Sequence, residues 1–389
     1  MEKHKQRLFL WVAFLFWFSL FLYVPILPAY LDTMQASYSF MGIVLGSYGL
    51  MQVIVRLPLG ILSDYLRIRR PFLTFGMLAL LISSAGFALT EQLEWTLLFR
   101  ALSGVTASTW VIFTVVYASY YQGKSAQAMS NLQLVTVTAQ LCGMSLSALL
   151  VDQWGIKSPF WFSALLGAAG VLLTLFIRDE KEQGGTQTSM RLADISIVVK
   201  EPLLLKASVL SIFAHMVLFA TMFGFTPAYA QSLGGTEREL TYLVLSFMIP
   251  HALAAFLSVR VLAVRLGEWR TLLVGFIGSG LFTFLIPFLE RIEWLCLTQA
   301  LNGFALGLTF PLLSAMSIQN VAHGQRATAM GFYQAVYAVG MFVGPLTAGV
   351  ISNSLGLSSG FVLAAGISVL GAAFTLVFQK TKKNLAQKA

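Results

Sequence analysis

Charge is what this chain has least of. Only 11% of its 389 residues are charged, against roughly 25% in an ordinary soluble domain, while 57% are hydrophobic and the mean hydropathy is +0.78. A polar coat that thin excludes a large soluble body and implies an integral membrane protein. Cysteine is nearly absent. Cys142 and Cys296 both lie in apolar runs, which rules out a disulfide framework and leaves no metal-ligand spacing. No nucleophile–base pair, metal motif or phosphate loop stands at the end of a run. An enzyme or an ATP-driven pump is therefore not indicated, and no cofactor is expected. The net charge of +9 does not imply nucleic acid as a partner, because the basic residues sit in short links between apolar runs.

Those runs are the dominant feature. Segments of spanning length fall at about 8–31, 40–63, 71–90, 95–121, 127–151 and 159–177, then at about 204–231, 238–262, 270–289, 293–319, 326–352 and 358–378. The first is too long for a signal-peptide core and reads as a retained helix. Between the sixth and seventh, Arg178-Asp179-Glu180-Lys181-Glu182 leads into Gly184, Gly185 and a Thr/Gln/Ser run, the composition of a flexible linker. Leu192, Ile195, Val198 and Val199 follow at helical spacing, as in a short helix lying along the membrane surface. The expected organisation is a six-helix bundle over 1–177, a linker over 178–203 and a second bundle over 204–389. Alternate loops, both termini and the linker hold twenty Lys and Arg, whereas the opposite loops hold only Lys157, Arg238 and Arg291. By the positive-inside rule both termini and the linker are expected to be cytoplasmic.

The two halves also repeat. Gly123, Ala126, Ala128, Met129 and Gln133 recur 201 positions later as Gly324, Ala327, Ala329, Met330 and Gln334. Gly143/Gly344, Gly155/Gly356 and Phe160/Phe361 keep that register, and Arg100-Ala-Leu-Ser-Gly104 aligns with Gln299-Ala-Leu-Asn-Gly303. Apolar helices match easily by composition, but a polar Gln and a loop Gly held in one register do not. Parallel repeats of six helices are a known transporter plan.

The link after the second segment carries the most specific motif. Gly60-Ile61-Leu62-Ser63-Asp64-Tyr65-Leu66-Arg67-Ile68-Arg69-Arg70 resembles the G-x-L-a-D-R-x-G-R-[RK] loop of the major facilitator superfamily. Gly60, Leu62, Asp64 and Arg69 match it; Tyr65, Arg67 and Ile68 depart from it. The resemblance extends over the chain and implies an all-α, twelve-helix membrane transporter of two six-helix pseudo-repeats, in a bacterial-type inner membrane. It makes Gly60, Asp64, Arg67, Arg69 and Arg70 an inner gate, with Gly60 allowing close helix approach and Asp64 pairing with a cation or helix N-terminus. A simple positive-inside anchor is the plainer reading.

Arg100 with Ser103 and Gly104 resembles the family's R-x-x-q-G element, in which the arginine tunes a proton site. Snorkelling to the near interface is its alternative. Gly340, Gly344, Pro345, Ala348 and Gly349 resemble the G-P-x-x-G-G element of drug:proton antiporters and suit helix packing around a hinge. That element belongs in the fifth segment, where this chain has Gly143-Met144-Ser145-Leu146-Ser147-Ala148 and no proline. Pro25-x-x-Pro28-x-Tyr30-Leu31 also looks like the exporter branch, or simply breaks the outer helix end.

None of the sixteen acids falls deep in a run. The chargeable groups within the runs are Arg56, Arg100, His215 and His251, so a cavity built from them is neutral to positive and favours anionic, zwitterionic or neutral compounds. Asp32, Arg100, His215 and His251 are the candidates for proton coupling. Gln52, Arg56, Gln133, Gln140, Gln299, Asn302 and Gln334 supply polar groups, and Trp110, Tyr117, Tyr333 and Tyr337 supply aromatic walls, a mixture suited to a binding cleft. Each can equally be glue between helices. The expected activity is alternating-access, proton-coupled efflux of a small organic molecule by a monomer in the lipid bilayer. Uptake by the same fold is the alternative, and a membrane enzyme the third reading.

Overall fold

The computed structural model describes residues 2–66, 68–121, 125–177, 198, 200–322 and 325–386, without the side chains of residues 2–3, 64, 125–127, 130, 237, 327 and 381–386. Arg67, Gly123, Gly324 and nearly all of the 178–203 linker, with Leu192 and Ile195 of its expected surface helix, lie outside the described residues. Among those described, eleven helices are long and apolar enough to cross a membrane. They are spans 1 (His4–Thr33), 2 (Tyr38–Ser63), 3 (Arg70–Leu89), 4 (Leu93–Ser119), 5 (Asn131–Trp154), 7 (Pro202–Ser232), 8 (Arg238–Leu266), 9 (Glu268–Phe288), 10 (Ile292–Gln319), 11 (Thr328–Leu355) and 12 (Leu357–Lys380). Span 6 is the shorter apolar helix Ser158–Thr174, whose 17 residues rise about 25 Å. No strand occurs among the described residues. The protein is all-α, with twelve apolar helices in two repeats of six.

The chain forms two compact units, Met1–Ala36 with Leu50–Met190, and Ser37–Gly49 with Arg191–Ala389. Within the first, span 1 packs on spans 5 and 6, and span 3 on spans 4 and 6. Within the second, span 7 packs on spans 11 and 12, and span 9 on spans 10 and 12, which is the same plan six helices later. Glycines make the tightest of these approaches. A Cβ on Gly143 would lie 2.6 Å from the Phe18 carbonyl oxygen, and one on Gly344 would lie 2.4 Å from that of Met216. No side chain fits either position. Gly155 and Gly356, at φ +83° and +87°, end spans 5 and 11 in the left-handed region that glycine enters without strain.

Spans 1, 4, 7 and 10 are interrupted at matching places in the two repeats. Span 1 leaves helical geometry over residues 23–26, at Pro25, and resumes as Leu27–Thr33 with Pro28 in its first turn. Span 7 passes through a wide turn, Thr221–Phe225, where Gly224 is non-helical at φ −123°, ψ −105°, and resumes as Thr226–Ser232 with Pro227 in its first turn. The two resumed pieces are held alike. The Tyr30 hydroxyl donates to the carbonyls of Phe87 and Thr90 at 2.9 and 3.1 Å, and that of Tyr229 donates to Leu289 at 3.1 Å. Each tyrosine thus satisfies carbonyls left over at the end of span 3 or span 9. Spans 4 and 10 break at Thr109 and at Leu308-Thr309, where each threonine hydroxyl bonds back into its own preceding turn at 2.7 Å. Thr109 packs on Gly76 and Thr309 on Gly275.

Candidate functional site

In the first unit the polar centre is Arg56, 3% exposed in span 2. Its guanidinium donates to Gln52 Oε1, one turn earlier, and to the Ala107 carbonyl at 3.3 Å. The bond to Ala107 falls two residues short of the break at Thr109 in span 4. A cation inside an apolar span must be compensated by protein or water, and here an amide oxygen and a carbonyl take part in that. On the far side of the break, Trp110 stacks on Phe113 at 5.4 Å and meets Trp17 of span 1 edge-on at 5.1 Å. Tyr117 stacks on Phe9 at 5.5 Å, and its hydroxyl lies 3.0 Å from that of Tyr121, to which Asn131 also donates at 3.0 Å. Trp110 and Tyr117 therefore belong to one aromatic wall joining spans 1 and 4.

Arg100 is 2% exposed, so it does not snorkel out of its span. Asp32 is exposed at the end of span 1 and does not turn inward. On span 5 Gln133 is exposed and Gln140 half-buried, and neither hydrogen-bonds this wall. In the link between spans 2 and 3 Arg69 donates to Ser63 Oγ. Arg70 opens span 3, half-buried. A Cβ on Gly60 would meet only Val111 Cγ1, at 3.8 Å, so the close helix approach expected of this glycine is not made among the described residues.

The second unit holds a histidine–aromatic cluster. His215 of span 7 lies face to face with Tyr337 of span 11, centroids 4.1 Å apart and planes 2° from parallel. Its Nδ1–H donates to the Ser211 carbonyl at 2.8 Å, and Ser211 Oγ is 2.9 Å from the Tyr333 hydroxyl. Phe310 presents to both histidines, 4.7 Å from His215 and 5.6 Å from His251. The Tyr337 face laid against His215 is a surrounding in which an imidazolium gains cation–π attraction. His251 follows Pro250 within span 8, and its imidazole hydrogen-bonds the backbone of Gly303 in span 10. Gln299 and Asn302, both 0% exposed, lie on span 10 beside it, and Asn302 Oδ1 accepts from Ser279 Oγ at 2.8 Å. Gln334 is half-buried on span 11. Gly340 and Gly344 press on the Ile212 and Met216 carbonyls of span 7, while Pro345 and Gly349 meet Gly42 of span 2, so this small-residue face of span 11 is a packing surface.

The clusters include residues that sequence reasoning passed over. Phe310 is one of 31 phenylalanines and gains its position from the break that Thr309 and Pro311 frame. Ser211 and Tyr229 were equally silent, although Pro28-Ala29-Tyr30 recurs as Pro227-Ala228-Tyr229 and marks the paired breaks.

Every acid in a described span lies within three residues of its end: Asp32, Glu94, Asp152, Glu239, Glu268 and Glu293. The groups brought inside are amides, hydroxyls, aromatic faces, two arginines and two histidines. Among the described residues no cluster of metal-ligating side chains is found.

A profile of the Major Facilitator Superfamily matches residues 9–289 and again 207–389. The chain is 24% identical to the inner membrane transport protein YajR of Escherichia coli, over 86% of this chain and 74% of that one. It is 22% identical to the multi-drug resistance efflux pump PmrA of Streptococcus pneumoniae, over 97% of both. Among solved structures, the nucleoside transporter NupG superposes with a TM-score of 0.77 at 16% identity, covering 97% of this chain and 99% of the other. A bacterial homologue of the lysosomal transporter Spinster gives 0.78 at 14% identity, covering 98% and 97%.

Proposed function

The chain belongs to the Major Facilitator Superfamily, and from that premise we propose that this multi-pass secondary transporter exports a small anionic, zwitterionic or neutral organic compound in exchange for protons. The observation carrying the substrate class is the distribution of charge: Arg56 and Arg100 are buried, and no carboxylate among the described spans lies deeper than three residues from an end. A permanent cation entering such surroundings gives up water without a fixed counter-charge. Aromatic contacts return only about 0.5–2 kcal/mol each. An anionic group can instead form charge-assisted bonds to an arginine or a protonated histidine.

Efflux is supported by similarity to the multi-drug resistance efflux pump PmrA over 97% of the chain and to the multidrug resistance protein MdtG over 94% of it. The histidines support the proton, being the side chains that ordinarily change charge near neutral pH. In this reading His215 and His251 of the second unit take up protons on either side of Phe310, and Arg56 and Arg100 keep the interior of the first unit positive. The inner-gate role of Gly60, Asp64, Arg67, Arg69 and Arg70 is part of the same proposal, as is action by a monomer. Uptake by the same fold is the second reading, favoured by the missing proline at Met144 in span 5.

Everted vesicles energised with an acid interior test the proposal. Norfloxacin, a zwitterion, should be accumulated and ethidium, a permanent cation, should not, with Arg100→Ala or His251→Ala reducing norfloxacin transport. Robust pH-driven ethidium transport abolished by Asp32→Asn would overturn it.

A further inference from the structure

Spans 8, 9 and 10 of the second unit enclose a set of buried polar atoms that the packing leaves unsatisfied. Gln299 is 0% exposed, yet neither its Oε1 nor its Nε2 has a hydrogen-bond partner. Asn302, also 0% exposed, uses Oδ1 for Ser279 and leaves Nδ2 without one. Thr283 of span 9 is 0% exposed with its hydroxyl in the same condition, and so is Nδ1 of His251.

Helix register places these groups in line. Spans 9 and 10 pack antiparallel with Ser279 against Asn302, so Thr283, one turn further along, comes level with Thr298 and Gln299. Gln299 is one turn from Gly303, whose backbone holds the His251 imidazole. The line therefore runs Thr283, Gln299, Asn302, His251. At its other end, Cys296 is one turn beyond Gln299 and within electrostatic reach of Glu239 and Glu293 at the span ends.

Buried polar atoms left dry are strongly disfavoured, and sites with several unmatched donors and acceptors are where proteins keep internal water. Here the unmatched set holds both kinds: amide N–H groups that donate, and an amide oxygen and an imidazole nitrogen that accept. We propose that spans 8, 9 and 10 enclose a hydrated polar column, lined by Thr283, Gln299 and Asn302, that carries protons between the Glu239/Glu293 end of these spans and Nδ1 of His251. The ring nitrogen bonded to Gly303 keeps its proton, so Nδ1 presents a lone pair. A water next to it passes on one proton, the ring becomes imidazolium, and that water is made neutral again by the next water in the column. The histidine returns to neutrality by losing the same proton. Besides the acids and Cys296, the chargeable groups around His251 are His215 of span 7, behind the Phe310 ring, and Arg260, which lies at the far end of span 8 over Phe256. From span 10, Gly303, Gly307 and Phe310 face it and none titrates.

The place of this column in transport rests on the proton-coupled reading above, but its existence does not. The experiment is water-to-protein magnetisation transfer on isotope-labelled full-length protein in liposomes, together with exchange of the His251 ring proton with water. In the wild type, water signals should appear at the Gln299 and Asn302 amides and at His251. In Gln299→Leu and in Thr283→Val they should be lost at His251, with slower ring-proton exchange and an unchanged His215 spectrum. Dry amides in the wild type overturn the column without need of any variant. Undiminished exchange at His251 in folded Gln299→Leu and Thr283→Val overturns its role as the proton route. Failure of proton-driven norfloxacin transport in vesicles, with a wet column present, refutes the coupling reading instead.

Discussion

Gly344→Ala is predicted to destabilise the second unit, and Gly366→Ala to leave it as stable or better. A new Cβ at Gly344 would stand 2.4 Å from the Met216 carbonyl oxygen, 2.8 Å from Met216 Cα and 3.0 Å from the Met216 carbonyl carbon. All three are backbone atoms of span 7, so no rotamer change relieves the clash and the two helices must separate. Overpacking of this kind costs about 1–3 kcal/mol. Replacing a helical glycine by alanine returns about 1 kcal/mol of backbone propensity. Because the obstacle cannot rotate away, the cost lies toward the top of its range and the net loss is about 1–2 kcal/mol. At Gly366 of span 12 nothing stands within 4 Å of the added carbon, so only the propensity gain remains. Thermal unfolding of the purified protein, followed by the retained monodisperse fraction after heating, should separate the two variants in opposite directions from the wild type. Equal midpoints for Gly344→Ala and Gly366→Ala would refute the packing argument.

Tyr30→Phe and Tyr229→Phe should each lower thermal stability by about 0.5–1.5 kcal/mol per lost hydrogen bond, with Tyr30 the costlier because its hydroxyl serves two carbonyls. Equal, negligible effects in the same unfolding assay would refute the stabilising role of these two tyrosine hydroxyls. Asp64→Asn should impair norfloxacin transport in vesicles while membrane insertion is retained; wild-type rates would reduce the loop to an anchor. Cysteines introduced at Ser189, outside the described residues, and at exposed Ser354 should be respectively protected from and open to an impermeant label added outside intact cells, and the reverse pattern would invert the topology.

Much of the fold was legible because a membrane simplifies the code. Long apolar runs separated by short basic links mark spans without any need of tertiary context, and the 201-residue register exposed the duplication. Small residues at helical spacing have few uses in an apolar span other than packing, and Gly344 presses on the Met216 carbonyl of span 7. Gly60 shows the opposite case: the motif fits, yet the structure leaves room for a side chain there. The interior of the candidate site was harder. Arg56, Arg100 and the histidines announce themselves by charge, whereas Phe310 and Ser211 are indistinguishable in sequence from their many neighbours. What singles them out is a break in span 10 and a turn of span 7 that bring them beside His215, and neither follows from composition. Asp32 lay at a helix end, where sequence cannot tell an inward from an outward side chain.

The two tyrosine stitches have a consequence for how this protein can vary. Each hydroxyl binds main-chain carbonyls, and every residue type has a carbonyl. The receiving positions, Thr90 in one half and Leu289 in the other, stand 199 residues apart, as do the two donors, and share no side-chain chemistry. The whole specification of the joint therefore resides in one residue of each pair. Its partner is invisible to any comparison of side chains, and the two halves can drift apart at the acceptor without loosening the joint, as long as each keeps its tyrosine.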